Sequence, residues 1–321
     1  MSKFQLIDLP VRKDITSYER AIIKATELLS ALPELLSVYQ IGGVSAPGIS
    51  DIDLVVVFKN GSSSGFSLHE QLGPEEKYLF VHRVYGITEE QLLNPITLTF
   101  FHSARLLFGR DVISGVKKEL EGKDILKKQI AYEFLLKMWM VMSTQRQYEI
   151  LKVRAFLLEA HAIKYDLEFL GIKAGKLADA VQDVIKLRSQ WFDLEGREEV
   201  ISELLERMYI AITEALVQGA QNQEIFLPEK LSLKMSNMTI HNGETYSVKR
   251  KGILLPSVFT GKKQFNLLHR FNRFHFTVPY NLREMPMVIA NRFAFVNELR
   301  NYNLVHLPDF LPLVSSLKFD E

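Results

Sequence analysis

The sequence contains no cysteine, and this absence removes several classes of chemistry at once. Without thiols there can be no disulfide bond, no thiolate nucleophile and no cysteine-ligated zinc. No uncharged apolar run approaches the roughly 20 residues that a membrane-spanning helix needs. Met1 to Pro10 shows no basic start followed by an apolar stretch, so no secretory signal is expected. These absences predict a cytoplasmic protein without a membrane partner.

An excess of one sign of charge is also missing, because 39 basic and 38 acidic residues give a formal net charge of +1. The overall charge therefore points to no polyanionic partner. Hydrophobic residues make up 47% of the chain and charged residues 24%, which is typical of a globular protein. At roughly one domain per 150 residues, the length predicts two or three domains.

The first third of the chain alternates between helical and strand patterns. Apolar residues recur at helical spacing over residues 14–37, which predicts one helix, with Pro33 as a point where it could break or restart. Two β-type runs follow, a short one at 38–41 and a longer one at 51–59 that is rich in valine. A third strand is expected over 78–87, and residues 103–108 have a helix-like pattern.

The sequence pattern changes twice in the rest of the chain. Few prolines or glycines interrupt a helical pattern that predicts four helices, near residues 125–144, 146–170, 174–192 and 196–219. From Phe226 onward, turn signals separate short β-type runs. The sequence thus predicts three regions, at residues 1–120, 121–224 and 225–321.

Asp51 and Asp53 carry the strongest chemical signal. Residues i and i+2 of a strand point to the same face, so the two carboxylates are expected to lie together while Ile52 and Leu54 face the core. Paired carboxylates repel unless a cation lies between them, and their hard oxygen atoms suit Mg²⁺. The pair predicts a magnesium site for phosphoryl transfer.

The segment before these aspartates has the features of a phosphate-binding loop. Gly42 and Gly43 let backbone N–H groups approach an anion closely, and Ser45 and Ser50 add hydroxyl donors. Either half of this pattern is ordinary by itself, since Asp-x-Asp is common on solvated edge strands and Gly-Gly is common in turns. The combination of strand, Gly-Gly turn, Ser-Asp-Ile-Asp-Leu and apolar strand favours a functional site.

This combination resembles the nucleotidyltransferase superfamily that includes DNA polymerase beta, the aminoglycoside nucleotidyltransferases and the minimal nucleotidyltransferases. The resemblance covers about residues 20 to 115, where Gly42 and Gly43 match the family's turn and Asp51 and Asp53 match its metal ligands. It implies an α+β fold: a nucleotidyltransferase core with a mixed sheet, a helical bundle over the acceptor, and here a small β-containing C-terminal region.

One departure from the family pattern concerns the third carboxylate, which the family places on a later strand as general base. The expected strand over residues 78–85 has no acid. His82 lies in it, either as a proton acceptor or as a packing residue. The other candidates are the glutamates that flank this strand: Glu75, Glu76, Glu89 and Glu90.

The C-terminal region is locally basic, with ten basic and two acidic residues between Phe226 and Arg283. Phe265, Phe271, Phe274, Phe276 and Tyr280 are interleaved with them. Basic and aromatic residues together can bind nucleic acid through phosphates and bases. The same aromatic residues in strand-like runs also suit a core, and both interpretations stay open.

The resemblance implies Mg²⁺-dependent transfer of a nucleoside monophosphate from an NTP to an acceptor hydroxyl. Asp51 and Asp53 would hold the metal and catalyse, and Gly42, Gly43, Ser45 and Ser50 would bind the phosphates. The alternative is a non-catalytic nucleotidyltransferase-like protein that binds nucleotide or nucleic acid, which the missing third acid favours.

Overall fold

The computed structural model describes residues 4–99, 101, 103–116, 119–227, 238–252, 271–279 and 284–314. These residues divide into two compact units. The sheet unit comprises Val11–Lys123 and Pro286–Val314, and the helical unit comprises the described parts of Met1–Pro10 and Asp124–Met285. The predicted boundaries near residues 120 and 224 stay predictions. Within the described ranges, no helix has the length and apolar character needed to cross a bilayer.

Helices and strands are mixed along the chain, which confirms the predicted α+β class. The strands are β1 (Gln5–Ile7), β2 (Leu35–Ile41), β3 (Asp53–Phe58), β4 (Tyr85–Thr88), β5 (Ala104–Gly109), β6 (Ile150–Lys152), β7 (Met238–Asn242), β8 (Ser247–Lys251), β9 (Arg273–Val278) and β10 (Leu311–Pro312). The helices are α1 (Ile15–Ser30), α2 (Leu68–Gln71), α3 (Pro74–Leu79), α4 (Glu89–Leu92), α5 (Pro95–Leu98), α6 (Lys123–Tyr148), α7 (Val153–Leu170), α8 (Lys176–Gln190), α9 (Arg197–Gln221) and α10 (Met287–His306).

The sheet unit is built on a five-stranded mixed sheet with the strand order β10-β4-β3-β2-β5. β2 runs antiparallel to β3 and β5, whereas β4 runs parallel to β3 and β10. In the β2–β3 register Ile41 lies opposite Asp53. The last residue of β2 therefore lies beside the first residue of β3, and the Gly42-Gly43 turn starts at the same end of the sheet.

β3 is buried on both faces, which explains its continuous apolar run. Leu54, Val56 and Phe58 pack with α1, α2 and α3 in one core cluster. Val55 and Val57 belong to a second cluster on the opposite face, with side chains from β2, β4, α4 and α10. Ile52 and Leu54 are 2% and 0% exposed, so the prediction that they face the core is confirmed.

The helical unit contains α6 to α9, at positions close to the four predicted helices. A three-stranded sheet, β7-β9-β8, packs its inner face on α6, where the indole of Trp139 meets the ring of Phe276 edge to face at 5.5 Å. Phe274 and Phe276 are both fully buried. These two aromatic residues therefore form core, as one of the two sequence interpretations proposed.

Two local predictions are wrong. The helix predicted over 14–37 ends at Ser30, and residues 35–37 already belong to β2. Tyr78 and Leu79 end α3, so the predicted third strand begins only at Tyr85. Pro74 at the first position of α3 favours a helix there, and a short apolar run cannot separate helix from strand.

Residues 96–114 were ambiguous in the sequence, and the helix-like pattern over 103–108 gives way to β5 because tertiary pairing with β2 overrides the local pattern. α10 was not predicted, and it lies in the region expected to be β-containing. Leu299 of α10 packs on one face of the sheet, while Leu307 and Phe310, just after it, pack on the other. The C-terminal segment thus completes the core of the sheet unit.

Candidate metal centre

Asp51 and Asp53 lie where the loop after β2 leads into β3. The amide of Ile52, between them, donates to the carbonyl of Leu79 at 2.9 Å, which ties this point of the chain to the end of α3. Both aspartates are partly exposed. Among the described residues they form, together with His82, a group whose ligand atoms all lie within 4.8 Å of one another. The two carboxylates and one imidazole could therefore hold a divalent cation.

His82 lies in the segment between α3 and β4, not within a strand. Its Nε2 is 2.9 Å from Oδ1 of Asp53, and its Nδ1 is 2.7 Å from the carbonyl oxygen of Arg83. The imidazole also meets the ring of Tyr85 edge to face at 5.1 Å. The structure therefore brings His82 to the aspartates and also packs its ring against Tyr85.

The charge state of His82 is set by these neighbours. Burial acts to lower its pKa, but the Asp53 carboxylate, the Arg83 carbonyl and the Asp51 charge together raise the pKa to about 9. At neutral pH the ring is therefore protonated when no metal is bound. The imidazolium then partly compensates the two carboxylates in the place where a cation would bind.

One oxygen of Asp53 indicates that this compensation is incomplete. Oδ1 of Asp53 is buried and has no hydrogen-bond donor in good geometry. The contact with His82 is close enough for an ion pair at 2.9 Å, but it is not a well-aligned hydrogen bond. A buried carboxylate oxygen without an aligned donor is energetically costly, and a bound cation would satisfy it. The donor set therefore fits a metal ion.

The four flanking glutamates do not supply a third carboxylate. Glu75 pairs with Lys13, Glu76 with Lys24 at 2.6 Å, and Glu89 with Arg110 at 2.7 Å. None of them, nor Glu90, belongs to the cluster with Asp51 and Asp53. His82 is the third member of the cluster instead. The sequence signal for this was the absence of an acidic residue over residues 78–85.

The Gly42-Gly43 turn faces open space at the same end of the sheet as Asp53. Gly42 has φ +68°, a backbone conformation that favours glycine, and both residues are exposed. A Cβ atom at either position would meet nothing within 4 Å. Ser45 is also exposed. The turn is therefore accessible to an anionic ligand from solvent.

Ser50 has a different environment from Ser45. It is only 3% exposed, and its hydroxyl accepts from the amide of Ala46 at 3.1 Å. Its predicted contact with phosphate stays a prediction, while the geometry gives it a part in shaping the loop.

Two tyrosines that the sequence analysis did not single out hold this loop in place. The hydroxyl of Tyr18 donates to the carbonyl of Ser50 at 2.7 Å and accepts from the amide of Gly48 at 2.9 Å. The hydroxyl of Tyr78 donates to the carbonyl of Gly48 at 2.6 Å. The loop is therefore fixed before any ligand binds, which positions Asp51 next to Asp53.

The basic C-terminal region is described only in part. Lys249, Arg250, Lys251 and Arg273 lie on β8 and β9. Phe271 is 73% exposed, in contrast to the buried Phe274 and Phe276. The other basic and aromatic residues of the predicted nucleic-acid surface lie outside the described residues: Lys230, Lys234, Lys262, Phe265, Lys263, Arg270, Tyr280 and Arg283. Nucleic-acid binding therefore stays a prediction.

No protein-family model matches the chain, and no curated protein matches it either. Among solved structures it is similar to a nucleotidyltransferase-like protein from Exiguobacterium sibiricum 255-15. The two are 14% identical with a TM-score of 0.25, over 64% of this chain and 77% of the other. A likeness of this degree carries no argument, so the function must be inferred from the geometry of the site.

Proposed function

We propose that the chain is a nucleotidyltransferase that depends on a divalent cation. It would transfer a nucleoside monophosphate from an NTP to an acceptor hydroxyl and release pyrophosphate. The observation that carries the proposal is the convergence of Asp51, Asp53 and His82 next to an open Gly42-Gly43 turn. Paired acidic ligands beside an accessible glycine turn suit a metal–triphosphate complex.

Each group has a role that follows from its position. Asp51 and Asp53 would bind the cation through carboxylate oxygens, and His82 would supply the third ligand through Nε2. When bound, the cation would activate the acceptor oxygen and neutralise charge on the phosphates. Gly42 and Gly43 would donate backbone N–H groups to the β- and γ-phosphates, and the exposed hydroxyl of Ser45 would add a further donor. Mg²⁺ is the metal that the sequence predicts.

The activity can be tested before the acceptor is known, with water as the acceptor. Purified protein is incubated with a divalent cation and each of the four NTPs, and the nucleoside monophosphate and pyrophosphate are measured. We expect slow, metal-dependent formation of both products in equal amounts from at least one NTP. Cleavage to a diphosphate and inorganic phosphate would contradict nucleotidyl transfer, because it breaks a different phosphoanhydride bond.

A second function is favoured by one specific observation, the imidazole in place of a third carboxylate. His82 is already paired with Asp53 and cannot reproduce a carboxylate base of low pKa. The chain would then be a nucleotidyltransferase-like protein that binds nucleotide or nucleic acid without turnover. Stabilisation of the protein by a metal–NTP complex, without formation of pyrophosphate even with acceptor hydroxyl compounds added, would support this alternative over the enzyme.

A further inference from the structure

We propose that His82 makes this site select first-row transition-metal dications, of which Mn²⁺ is a convenient probe, over Mg²⁺. The inference rests on the cation site of the proposed function, and it replaces the magnesium predicted from the sequence. The sequence predicted two metal ligands, Asp51 and Asp53, both of which bind through oxygen, and left the third open. In the structure the third group of the cluster is the imidazole of His82, which would bind through nitrogen.

The chemistry of the donor set carries the argument. Mg²⁺ is a hard cation that binds oxygen ligands and gives up its water molecules reluctantly. Transition-metal dications accept imidazole nitrogen as well as carboxylate oxygen. A site with two carboxylates and one imidazole therefore lowers the affinity for Mg²⁺ more than the affinity for Mn²⁺. No further acidic side chain among the described residues joins this cluster, so His82 supplies one of its three groups.

The contacts of His82 hold its ring in an orientation that suits a metal ligand. Nδ1 lies 2.7 Å from the carbonyl of Arg83, while Nε2 faces Asp53 at 2.9 Å. Metal-binding histidines commonly donate one ring N–H to a backbone carbonyl, which fixes the tautomer and leaves the other nitrogen for the metal. The ring of Tyr85, 5.1 Å from the imidazole, packs against it. Nε2 is therefore presented to the aspartates before a metal binds.

The test compares metal affinities directly and needs no enzymatic activity. Binding of Mn²⁺ is followed by the loss of the paramagnetic resonance signal of free Mn²⁺, and Mg²⁺ affinity is measured by competition. The variant His82→Glu replaces the nitrogen with oxygen at a similar reach, and His82→Ala removes the ligand. The matched control is His69→Glu, which makes the same change of residue on α2, outside the cluster. Circular dichroism of each variant without metal checks the fold.

We expect wild type to prefer Mn²⁺ over Mg²⁺ by about tenfold or more, because the strongly hydrated Mg²⁺ exchanges a water molecule for an imidazole less readily than Mn²⁺ does. His82→Glu should reduce this ratio by about tenfold, mainly through tighter Mg²⁺ binding. His82→Ala should weaken Mn²⁺ binding, and His69→Glu should leave the ratio unchanged.

Two results with the variants would overturn the inference, as would metal binding by wild type without selectivity. One is an equal Mn²⁺ to Mg²⁺ ratio in wild type and His82→Glu. The other is the same decrease of the ratio in His69→Glu, which would assign the effect to added negative charge rather than to a ligand. Metal binding without selectivity would leave the proposed function standing. Selective binding without pyrophosphate release from any NTP would instead contradict the enzyme and leave this inference intact, whereas absence of Mn²⁺ binding would overturn both.

Discussion

His82 in the sheet unit and His161 in the helical unit are both partly buried histidines, yet their pKa values shift in opposite directions. Burial lowers the pKa of His161, and the nearby charges of Arg188 and Lys164 lower it further, to about 4. Burial also acts to lower the pKa of His82, but the contacts with Asp53, Arg83 and Asp51 raise it to about 9. Burial acts to lower both pKa values, so the opposite shifts come from the neighbouring charges and hydrogen bonds, which are anionic around His82 and cationic around His161.

This difference reflects two different electrostatic surroundings. In the helical unit, Lys164 on α7 and Arg188 on α8 place positive charge near His161. In the sheet unit, two carboxylates meet at one point and one buried carboxylate oxygen lacks an aligned donor. Perturbed groups that cluster with unsatisfied charge are typical of binding and catalytic sites. The predictions below test this contrast, from the largest expected effect to the smallest.

The largest effect is expected from removing the paired carboxylates. Asp51→Asn together with Asp53→Asn should abolish stabilisation by metal and NTP, because no charged oxygen ligand remains. The melting temperature without metal should fall only slightly, since the lost contact with His82 is offset by relief of the repulsion between the aspartates. Thermal shift with and without metal and NTP measures both quantities.

The matched control for this variant lies in the helical unit. Asp179 and Asp183 are both on α8, and Asp183 forms a surface ion pair with Arg207 at 2.8 Å. Asp179→Asn together with Asp183→Asn makes the same change of charge, and ligand-induced stabilisation should persist. Equal loss in both double variants would mean that net charge, rather than a defined site, attracts the ligand.

The second effect concerns the tyrosine that holds the loop. Tyr18→Phe removes a hydroxyl that bonds the backbone of Gly48 and Ser50, so unfolding should become easier by about 1–3 kcal/mol. Affinity for the metal should also fall, because the loop that positions Asp51 loosens.

Tyr209→Phe in the helical unit is the control. It keeps the ring stacked on Trp139 at a centroid distance of 6.3 Å and should change stability by about 0.5 kcal/mol or less. Chemical denaturation gives these values, and an unchanged metal affinity in Tyr18→Phe would contradict a role of the loop in positioning the site.

The third effect is a pH dependence of opposite sign in the two units. His82 binds its proton more tightly in the folded state, so its contribution to stability is present below pH 6.5 and is lost as the pH rises to about 9. His161 binds its proton less tightly when folded, so stability is lost as the pH falls from 6.5 to about 4. His82→Gln should flatten the first window, and His161→Gln the second.

Melting temperatures of the metal-free variants across this pH range give the measurement. Changes of a few degrees are expected, because both groups are partly exposed to solvent and their interactions are screened. A profile that changes in the same window for both variants would remove the contrast between the units.

The smallest effect separates backbone strain from ligand contact. Gly42 and Gly171 both have φ +68° and open space around a Cβ atom. Alanine at either position should therefore lower stability by about 1–2 kcal/mol. Gly43→Ala should change stability little, since it has no such strain. Its methyl group should nevertheless weaken NTP binding about tenfold, or about 1.4 kcal/mol.

Calorimetric titration with a non-hydrolysable NTP and a divalent cation distinguishes these cases. NTP affinity should be unaffected in Gly171→Ala and reduced in Gly43→Ala. Unchanged affinity in Gly43→Ala would exclude close approach of the phosphates to this turn.

Local patterns were sufficient where residues repeat a clear period or carry charge in an apolar strand. The valine-rich β3 is one such case, and the helices α6 to α9 are another. Asp51 and Asp53 were found because alternation along a strand puts residues i and i+2 on one face. Both aspartates belong to one cluster, although Asp51 itself precedes β3, which begins at Asp53.

Features that depend on contacts distant in sequence could not be predicted in this way. β5 has a helical pattern and becomes a strand only through pairing with β2. α10 covers one face of a sheet whose first strand lies more than 200 residues earlier in the chain. His82 contacts Asp53 from the loop between α3 and β4. The sequence pattern predicted one continuous strand there, so this loop could not be foreseen.

The account depends most on the claim that Asp51, Asp53 and His82 bind one cation together. Crystals grown with Mn²⁺ would test it through the anomalous signal of the metal. We predict one peak about 2.1–2.3 Å from a carboxylate oxygen of each aspartate and from Nε2 of His82. An anomalous peak only at another place, or ordered side chains of Asp51 and Asp53 with no peak between them, would contradict joint binding of one cation.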